Sequence, residues 1–143
     1  MQQQVYARSE LCTGCRICSQ VCSINMFGES KPWASGIVIK RDPFQGYEWQ
    51  AICRHCDDPP CIDACMASSL KKNPQTGIVF NDFQTCVGCW ACIMVCPYGA
   101  IAADYEKGIA VQCNQCHEEK QPLCVQVCPT EALVYTDRKR TSP

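Results

Sequence analysis

Sixteen cysteines are the residues of this 143-residue chain whose type and spacing could do chemistry. They form four groups of four: Cys12, Cys15, Cys18 and Cys22; Cys53, Cys56, Cys61 and Cys65; Cys86, Cys89, Cys92 and Cys96; and Cys113, Cys116, Cys124 and Cys128. Gaps inside the first and third groups are two, two and three residues, whereas the second and fourth widen the middle gap to four and seven. Cysteines at such short spacings are typical of metal ligands.

The spacing indicates cubane iron-sulfur clusters, because each cubane offers four iron corners and each iron needs one thiolate. Three cysteines separated by two residues can wrap one face of a cubane. In the bacterial pattern the fourth cysteine, followed by proline, ligates the other cluster of a pair. Cys96 and Cys128 have this proline, whereas Cys22 and Cys65 lack it. The sequence therefore predicts four [4Fe-4S] clusters, with all sixteen cysteines as iron ligands.

Two of the groups belong to an internal repeat. The first ligand loop, residues 12–22, lines up with the third ligand loop, residues 86–96, so that Gly14 matches Gly88. A residue without a side chain at that point lets backbone N–H groups approach the sulfurs. The chain is thus a doubled two-motif unit in which neither motif can bury a core by itself.

The elements that must position these ligands are short. Four β-prone runs lie between or after the cysteine groups: residues 36–40, 77–80, 108–111 and 133–135. No segment has the length and 3.6-residue period of a long amphipathic helix. The predicted fold class is α+β and dominated by metal, with short hairpins and helices of one or two turns.

Composition excludes several classes of protein. The hydrophobic share of 47 % includes the cysteines, so the ordinary apolar core is thin. The 13 basic and 14 acidic side chains give no footprint for nucleic acid. No apolar run approaches the roughly 18 residues of a membrane span, and the polar residues 1–4 do not resemble an export signal. We expect a cytoplasmic protein without a membrane anchor.

Cluster binding changes the charge. It turns sixteen thiols into thiolates and adds about +2 per oxidised core, so the formal charge of −1 becomes about −9. Crowded negative charge favours low reduction potentials, on the order of −400 mV or below. It also predicts that partners dock through positive patches and that salt weakens their association.

Other interpretations predict different properties. Structural zinc could use the second and fourth groups, and a disulfide framework would need an oxidising compartment.

His55 and His117 each lie beside a cysteine, and we expect them to support the site or lie on the surface rather than bind metal. The aromatic residues of the first link are expected to form a local hairpin core, with a docking face as the alternative; they are Trp33, Phe44, Tyr47 and Trp49.

The cysteine groups resemble those of the four-cluster, ferredoxin-like electron-transfer subunits that accompany molybdenum or tungsten pterin enzymes, carbon monoxide dehydrogenase and some hydrogenases. The similarity runs from Cys12 to about Tyr135, and its most specific parts besides the cysteines are residues 56–61 and 124–133. The resemblance implies two ferredoxin-like modules: an outer one from residues 1–22 and 104–136, and an inner one from residues 53–103. A hairpin-type linker, residues 23–52, and a basic tail, residues 137–143, complete the expected organisation.

The resemblance also implies a nested ligand pairing, whereas spacing alone leaves sequential pairing open. Nesting gives cluster 1 to Cys12, Cys15, Cys18 and Cys128; cluster 2 to Cys113, Cys116, Cys124 and Cys22; cluster 3 to Cys53, Cys56, Cys61 and Cys96; and cluster 4 to Cys86, Cys89, Cys92 and Cys65.

The resulting prediction is a non-catalytic relay that moves single electrons between a catalytic oxidoreductase subunit and another carrier. Tungsten aldehyde oxidoreductase is the favoured partner; carbon monoxide dehydrogenase, formate dehydrogenase and hydrogenase are alternatives. A flavin or ferredoxin acceptor and further copies of the chain are further possible partners. Rival hypotheses are a structural zinc or scaffold protein, and a sensor with an open iron, which would need an incomplete cysteine group.

Overall fold

A computed structural model describes residues 3–137, which fold into short elements. The helices are α1 (Ile17–Phe27), α2 (Pro60–Ala64), α3 (Ala91–Val95) and α4 (Leu123–Val127), and a single 3₁₀ turn covers Ser9–Leu11. The strands are β1 (Gln3–Ala7), β2 (Ile37–Asp42), β3 (Tyr47–Ile52), β4 (Leu70–Lys72), β5 (Val79–Asn81), β6 (Ala102–Asp104), β7 (Ile109–Val111) and β8 (Leu133–Asp137). The predicted α+β class is confirmed. The expected basic tail lies outside the described residues, apart from Asp137.

The strands pair as four separate antiparallel ribbons of two strands each. Three are consecutive hairpins: β2 with β3, β4 with β5, and β6 with β7. The fourth joins the two ends of the described chain, since β1 pairs with β8 from Gln3↔Asp137 to Ala7↔Leu133. All four β-prone runs of the sequence fall on strands, namely β2, β5, β7 and β8.

Three of the helices have the expected one or two turns, but α1 is longer, with 11 residues. Proline after Cys96 and Cys128 cannot continue a helix, so α3 and α4 end immediately before these cysteines. Cys22 is followed by Ser23, whose hydroxyl donates to the Gln20 carbonyl and accepts from the Lys31 N–H. The helix therefore continues to Phe27 and ends at Gly28, which adopts a left-handed conformation.

Two small hydrophobic cores hold these elements, and both contain cysteines. The first joins strands β1, β2, β3 and β8 to Cys18, Cys113 and Cys124. The second joins β4, β5 and β7 to Cys61 and Cys92. Helices α1 and α4 pack together, as do α2 and α3. Ligand cysteines are thus part of the packing as well as of the metal chemistry.

Ion pairs tie the segment after α1 to the turn between β6 and β7. The Lys31 ammonium, which is mostly buried, lies 2.7 Å from Glu106, 3.2 Å from Glu29 and 3.9 Å from the buried Asp104. Asp104 in turn accepts backbone N–H bonds from Glu106 and Lys107. These contacts link residues that are about seventy positions apart in sequence.

The expectation that the aromatic residues of the first link form a hairpin core is wrong. Trp33 is 59 % exposed, Phe44 96 % and Trp49 43 %; the side chain of Tyr47 lies outside the described part. The inward face of the hairpin is supplied by Ile37 and Ile52 instead. Among the described residues, no helix has the length and apolar character needed to cross a membrane.

Candidate metal centres

Eight of the sixteen cysteines line two small cavities, four at each, and we call the four sets of the nested pairing sites 1 to 4. At site 1, Cys12, Cys15, Cys18 and Cys128 line one cavity. The loop that carries the first three begins with left-handed backbone at Gly14 and Arg16, and α1 starts directly afterwards. Cys128 arrives from the end of α4, more than a hundred residues later.

Site 4 has the same construction. Cys65, Cys86, Cys89 and Cys92 line one cavity, in which the third ligand loop supplies three cysteines and the end of α2 supplies the fourth. Gly88 and Trp90 hold the same left-handed conformations as their counterparts in the first loop. An added Cβ on Gly88 would collide with the carbonyl oxygen of Gly108, so this loop tolerates no side chain there.

At sites 2 and 3 the grouping is visible in the electrostatics of the thiols. The pKa of Cys53 is raised to about 12, mainly by burial, with the neighbouring Cys61, Cys96 and Cys56 contributing in the same direction. Burial likewise raises the pKa of Cys124, and the largest additional contributions come from Cys22 and Cys116. These influences group Cys53 with Cys56, Cys61 and Cys96, a set that we call site 3, and Cys124 with Cys22, Cys113 and Cys116, a set that we call site 2.

Thiols of different sites also influence one another's pKa. Charge on Cys18 of site 1 acts on Cys124 of site 2. Cys53 of site 3 acts on Cys113 of site 2, and Cys61 of site 3 acts on Cys92 of site 4. These influences link site 1 to site 2, site 2 to site 3, and site 3 to site 4. Among the sixteen cysteines only Cys15 and Cys89 are exposed, and they belong to the two terminal sites.

Buried thiols at these sites hold their protons until metal binds. Burial raises the pKa of Cys18, Cys22 and Cys92 to about 11 each. Metal coordination requires the thiolate, so cluster binding must release these protons. Without metal, deprotonated thiols at these sites would repel one another in poorly solvated surroundings. Bound iron compensates their negative charge and makes the deprotonated form favourable.

Backbone N–H groups point at several sulfurs, as a cluster requires. Gly36 donates to Cys22 at 3.3 Å, Gln115 to Cys113 at 3.3 Å, and Ala132 to Cys128 at 3.3 Å. A Cβ on Gly36 would lie 2.7 Å from the Cα of Cys113. Sequence reasoning treated Gly36 only as the start of a strand, and no local signal marks its contact with a cysteine some 77 residues away.

Side-chain hydroxyls support the fourth ligands of the two terminal sites. The Ser69 hydroxyl lies 3.2 Å from the sulfur of Cys65, and the Thr130 hydroxyl lies 3.7 Å from that of Cys128. Burial raises the pKa of each thiol, but these hydroxyls and nearby N–H groups outweigh it, so both pKa values fall below the usual range. Sequence reasoning missed both hydroxyl residues.

The two histidines occupy different environments. His55 is fully buried, and its Nδ1 accepts a hydrogen bond from the Val79 N–H at 2.9 Å and lies 3.8 Å from the sulfur of Cys53. His117 is exposed. Among residues 3–137, no three His, Cys, Asp or Glu side chains converge closely enough to hold a single metal ion. A cubane requires no such convergence, because each thiolate binds a different iron.

The donor chemistry fits four cubanes: each site offers four thiols, sulfurs accept N–H bonds, and the sites lie in apolar surroundings. Fold and sites together define a ferredoxin-like iron-sulfur protein. The family model of the 4Fe-4S dicluster domain matches residues 45–138. The chain belongs to this family, and its cofactors are four [4Fe-4S] clusters.

The chain is similar to proteins that are named after redox enzymes. The hydrogenase-2 operon protein HybA of Escherichia coli O157:H7 is 32 % identical over 92 % of this chain, which spans half the length of HybA. The probable anaerobic dimethyl sulfoxide reductase chain YnfG of Escherichia coli K12 is 32 % identical over 94 % of this chain and 73 % of its own. A chain of the active site complex BamBC of benzoyl coenzyme A reductase has the same fold, with a TM-score of 0.58, 21 % identity, and coverage of 99 % of this chain and 79 % of that one.

Proposed function

We propose that this chain is the electron-transfer subunit of an oxidoreductase complex, in which single electrons pass through the clusters in the order 1, 2, 3, 4 or the reverse. The observation that carries the proposal is that thiols of sites 1 and 2, 2 and 3, and 3 and 4 influence one another, while sites 1 and 4 each have one exposed cysteine. A chain that performed catalysis would need a substrate site at a cluster, whereas every cysteine here is one of a complete set of four.

We assign the ligands of each cluster as the nested sets of sites 1 to 4. Support comes from the two cavities that are each lined by the four cysteines of a terminal set, and from the mutual influence of the thiols in the two inner sets. Sequential pairing would instead join residues 12–22 with residues 53–65. The two ferredoxin-like modules follow from the same assignment.

We place the catalytic subunit at the site 4 end. Val87 lines site 4 and is 70 % exposed, while Met66 and Met94, which neighbour site 4 ligands in sequence, are 87 % and 84 % exposed. Large exposed apolar side chains are typical of surfaces that a partner covers. The resemblance of the cysteine groups favours tungsten aldehyde oxidoreductase as that partner, with molybdenum enzymes, carbon monoxide dehydrogenase and hydrogenase as alternatives.

The site 1 end is left for the acceptor, which is a flavin subunit, a ferredoxin or another copy of this chain. We also propose a cytoplasmic location, because all sixteen cysteines are free thiols and cluster assembly needs them reduced.

Anaerobic purification of the chain with whatever binds it tests these proposals. About sixteen irons and sixteen sulfides per chain are expected, together with a larger subunit that contains tungsten. Molybdenum or nickel in that subunit, instead of tungsten, would identify one of the alternative enzymes as the partner. A colourless preparation without iron that is still folded would refute the relay itself.

A further inference from the structure

Lys72 is a charged residue on the side of β4 that faces the protein interior. Successive side chains of a strand point to opposite faces, so Lys72 shares a face with Leu70, which is 4 % exposed and belongs to the second hydrophobic core. Lys71, between them, lies on the other face and is exposed, whereas Lys72 is only partly exposed. Helix α2, which carries Cys61, packs against this strand. Lys72 therefore lies beside an element that carries an iron ligand.

The ammonium group of Lys72 is fixed on the backbone of the second ligand group. Its Nζ donates to the carbonyl of Cys56 at 2.8 Å and to the carbonyl of Asp57 at 3.0 Å. Only a short covalent path joins the Cys56 carbonyl oxygen to the sulfur of the same residue, so the Nζ of Lys72 lies no farther than about 9 Å from that sulfur. The two hydrogen bonds thus hold a positive charge close to an iron ligand.

The other charged side chains of this ligand loop are exposed. Arg54 stacks on the ring of Tyr98, with 4.7 Å between the guanidinium carbon and the ring centroid, and it faces water. The side chains of Asp57 and Asp58 are also exposed. Water and salt screen exposed charges more strongly than partly buried ones. The charge of Lys72 is therefore less screened than the charges around it.

The fourth ligand group has a matching position without a charge. The sulfurs of Cys65 and Cys128 each accept an N–H from the residue four positions later, and a strand, β4 or β8, begins at the next residue. The third residue of β4 is Lys72, and the third residue of β8 is Tyr135. Tyr135 lines a groove together with the residues on either side of Cys116. This construction therefore forms without a lysine, which leaves the charge of Lys72 as the feature to explain.

A fixed cation favours reduction of a nearby cubane, because each electron that a cubane accepts adds one negative charge. At about 9 Å and an effective dielectric constant of about 20, the attraction would raise the equilibrium constant for reduction roughly twentyfold. The added charge spreads over the cluster and water reaches part of Lys72, so we expect an effect of about threefold to tenfold. For a one-electron couple, a tenfold change corresponds to about 59 mV.

We propose that Lys72 raises the reduction potential of the cluster bound by Cys56, through the fixed place of its ammonium on the Cys56 carbonyl. The proposal depends on the cofactor alone. Cys56 is an iron ligand in nested and in sequential pairing, so neither the pairing nor the identity of the catalytic subunit enters the argument.

Anaerobic redox potentiometry of the holoprotein, with dithionite as the reductant and electron paramagnetic resonance as the detector, tests the proposal. Lys72→Met keeps most of the side-chain length and removes the charge. It should lower one of the four potentials by about 30–60 mV, which is a threefold to tenfold fall in the equilibrium constant. The other three potentials should move less. The lowered potential should be the one that is missing from Cys56→Ser.

Two lysine variants are matched controls. Lys72→Arg keeps the positive charge and should keep the potential closer to that of the unchanged chain than Lys72→Met does. Lys71→Met removes the same charge from the exposed face of the same strand and should shift the potential less. Lys72→Gln retains a donor without the charge and serves as a second test should Lys72→Met bind fewer than about sixteen irons.

Three results would overturn the proposal. The first is an unchanged set of potentials in cluster-loaded Lys72→Met or Lys72→Gln. The second is an equal fall in Lys72→Arg, or an equal shift in Lys71→Met. The third is loss of iron from both uncharged variants while Lys72→Arg stays loaded or loses iron equally, since Lys72 would then support the loop rather than the potential.

Discussion

The first and third ligand loops have the same backbone in different surroundings. Gly14 and Gly88 have φ of +73° and +69°, and Arg16 and Trp90, the residues before the helices, have φ of 64° and 63°. The side chains at those last positions share neither charge nor size. Reaching three iron corners therefore constrains the backbone, while the residues between the ligands remain free to vary.

The variable positions give the two ends of the molecule different surfaces. Thr13 and Gln20 are exposed in the first loop, where the third loop exposes Val87 and Met94. The first loop also exposes Ile17, at 39 %, but Val87 and Met94 are 70 % and 84 % exposed, so the site 4 end is the more apolar of the two. The same cofactor geometry can accordingly serve a temporary contact at one end and a lasting interface at the other.

Replacing one exposed ligand at either end should have the largest effect. Cys15→Ser and Cys89→Ser should each lower the iron content from about sixteen to about twelve per chain and stop electron throughput, because each removes a terminal cluster from the relay. Iron counting and electron-transfer rates of the assembled complex measure this. Thr13→Ser keeps every ligand and is the control. Normal throughput in an assembled Cys89→Ser complex would favour a scaffold role.

Replacing each loop glycine with alanine should destabilise the protein by a different amount in the two loops. The added methyl group of Gly14→Ala meets only the flexible Glu48 carboxyl, at 2.8 Å. The substitution should therefore lower the free energy of unfolding by about 1–2 kcal/mol, because alanine is strained in a left-handed conformation. Gly88→Ala also collides with the Gly108 backbone and should cost about 3–4 kcal/mol. Anaerobic denaturant unfolding measures both. Gly46→Ala, with φ of +65° and open space around it, isolates the backbone contribution. Equal losses of unfolding free energy in Gly14→Ala and Gly88→Ala would show that the Gly108 backbone causes no additional strain.

A carboxylate introduced at matched positions of the two loops should weaken binding of the catalytic subunit at one end of the molecule and not at the other. Val87→Asp should weaken binding of the catalytic subunit about tenfold, because the carboxylate loses water when the apolar end is covered. Thr13→Asp should change that affinity less than about twofold. Titration of the purified subunits provides the measurement. If Thr13→Asp weakened binding more than Val87→Asp, the orientation would be reversed.

Removing one hydroxyl from each terminal site should have the smallest effect. Ser69→Ala and Thr130→Val each delete a group that stabilises a ligand sulfur, so each should lower the potential of its cluster by about 20–60 mV. The shift should be larger for Ser69, whose oxygen is 3.2 Å from the sulfur against 3.7 Å for Thr130. Potentiometric titration followed by electron paramagnetic resonance resolves it. A rise in potential at either site would exclude these bonds.

Features encoded over a few residues could be predicted from the sequence. The strands at residues 36–40 and 108–111 follow from β-branched runs after glycine, and the ends of α3 and α4 follow from the prolines after Cys96 and Cys128. The cysteine groups themselves indicated the cofactor. Each of these depends on local conformational preference or on ligand spacing alone.

Features that depend on distant contacts could not be predicted. β1 begins in a polar segment and becomes a strand only because β8 pairs with it. The exposure of Phe44 and Trp49 follows from which hairpin face meets the core, and composition does not contain that information.

The pairing of β1 with β8 has a consequence for biosynthesis. A ribosome releases β1 first, yet this strand lacks its partner until residue 137 has emerged. In the proposed pairing, the cysteines of sites 3 and 4 are complete once residue 96 is made, whereas sites 1 and 2 await residues 128 and 124. A nascent chain could therefore receive the clusters of sites 3 and 4 before those of sites 1 and 2.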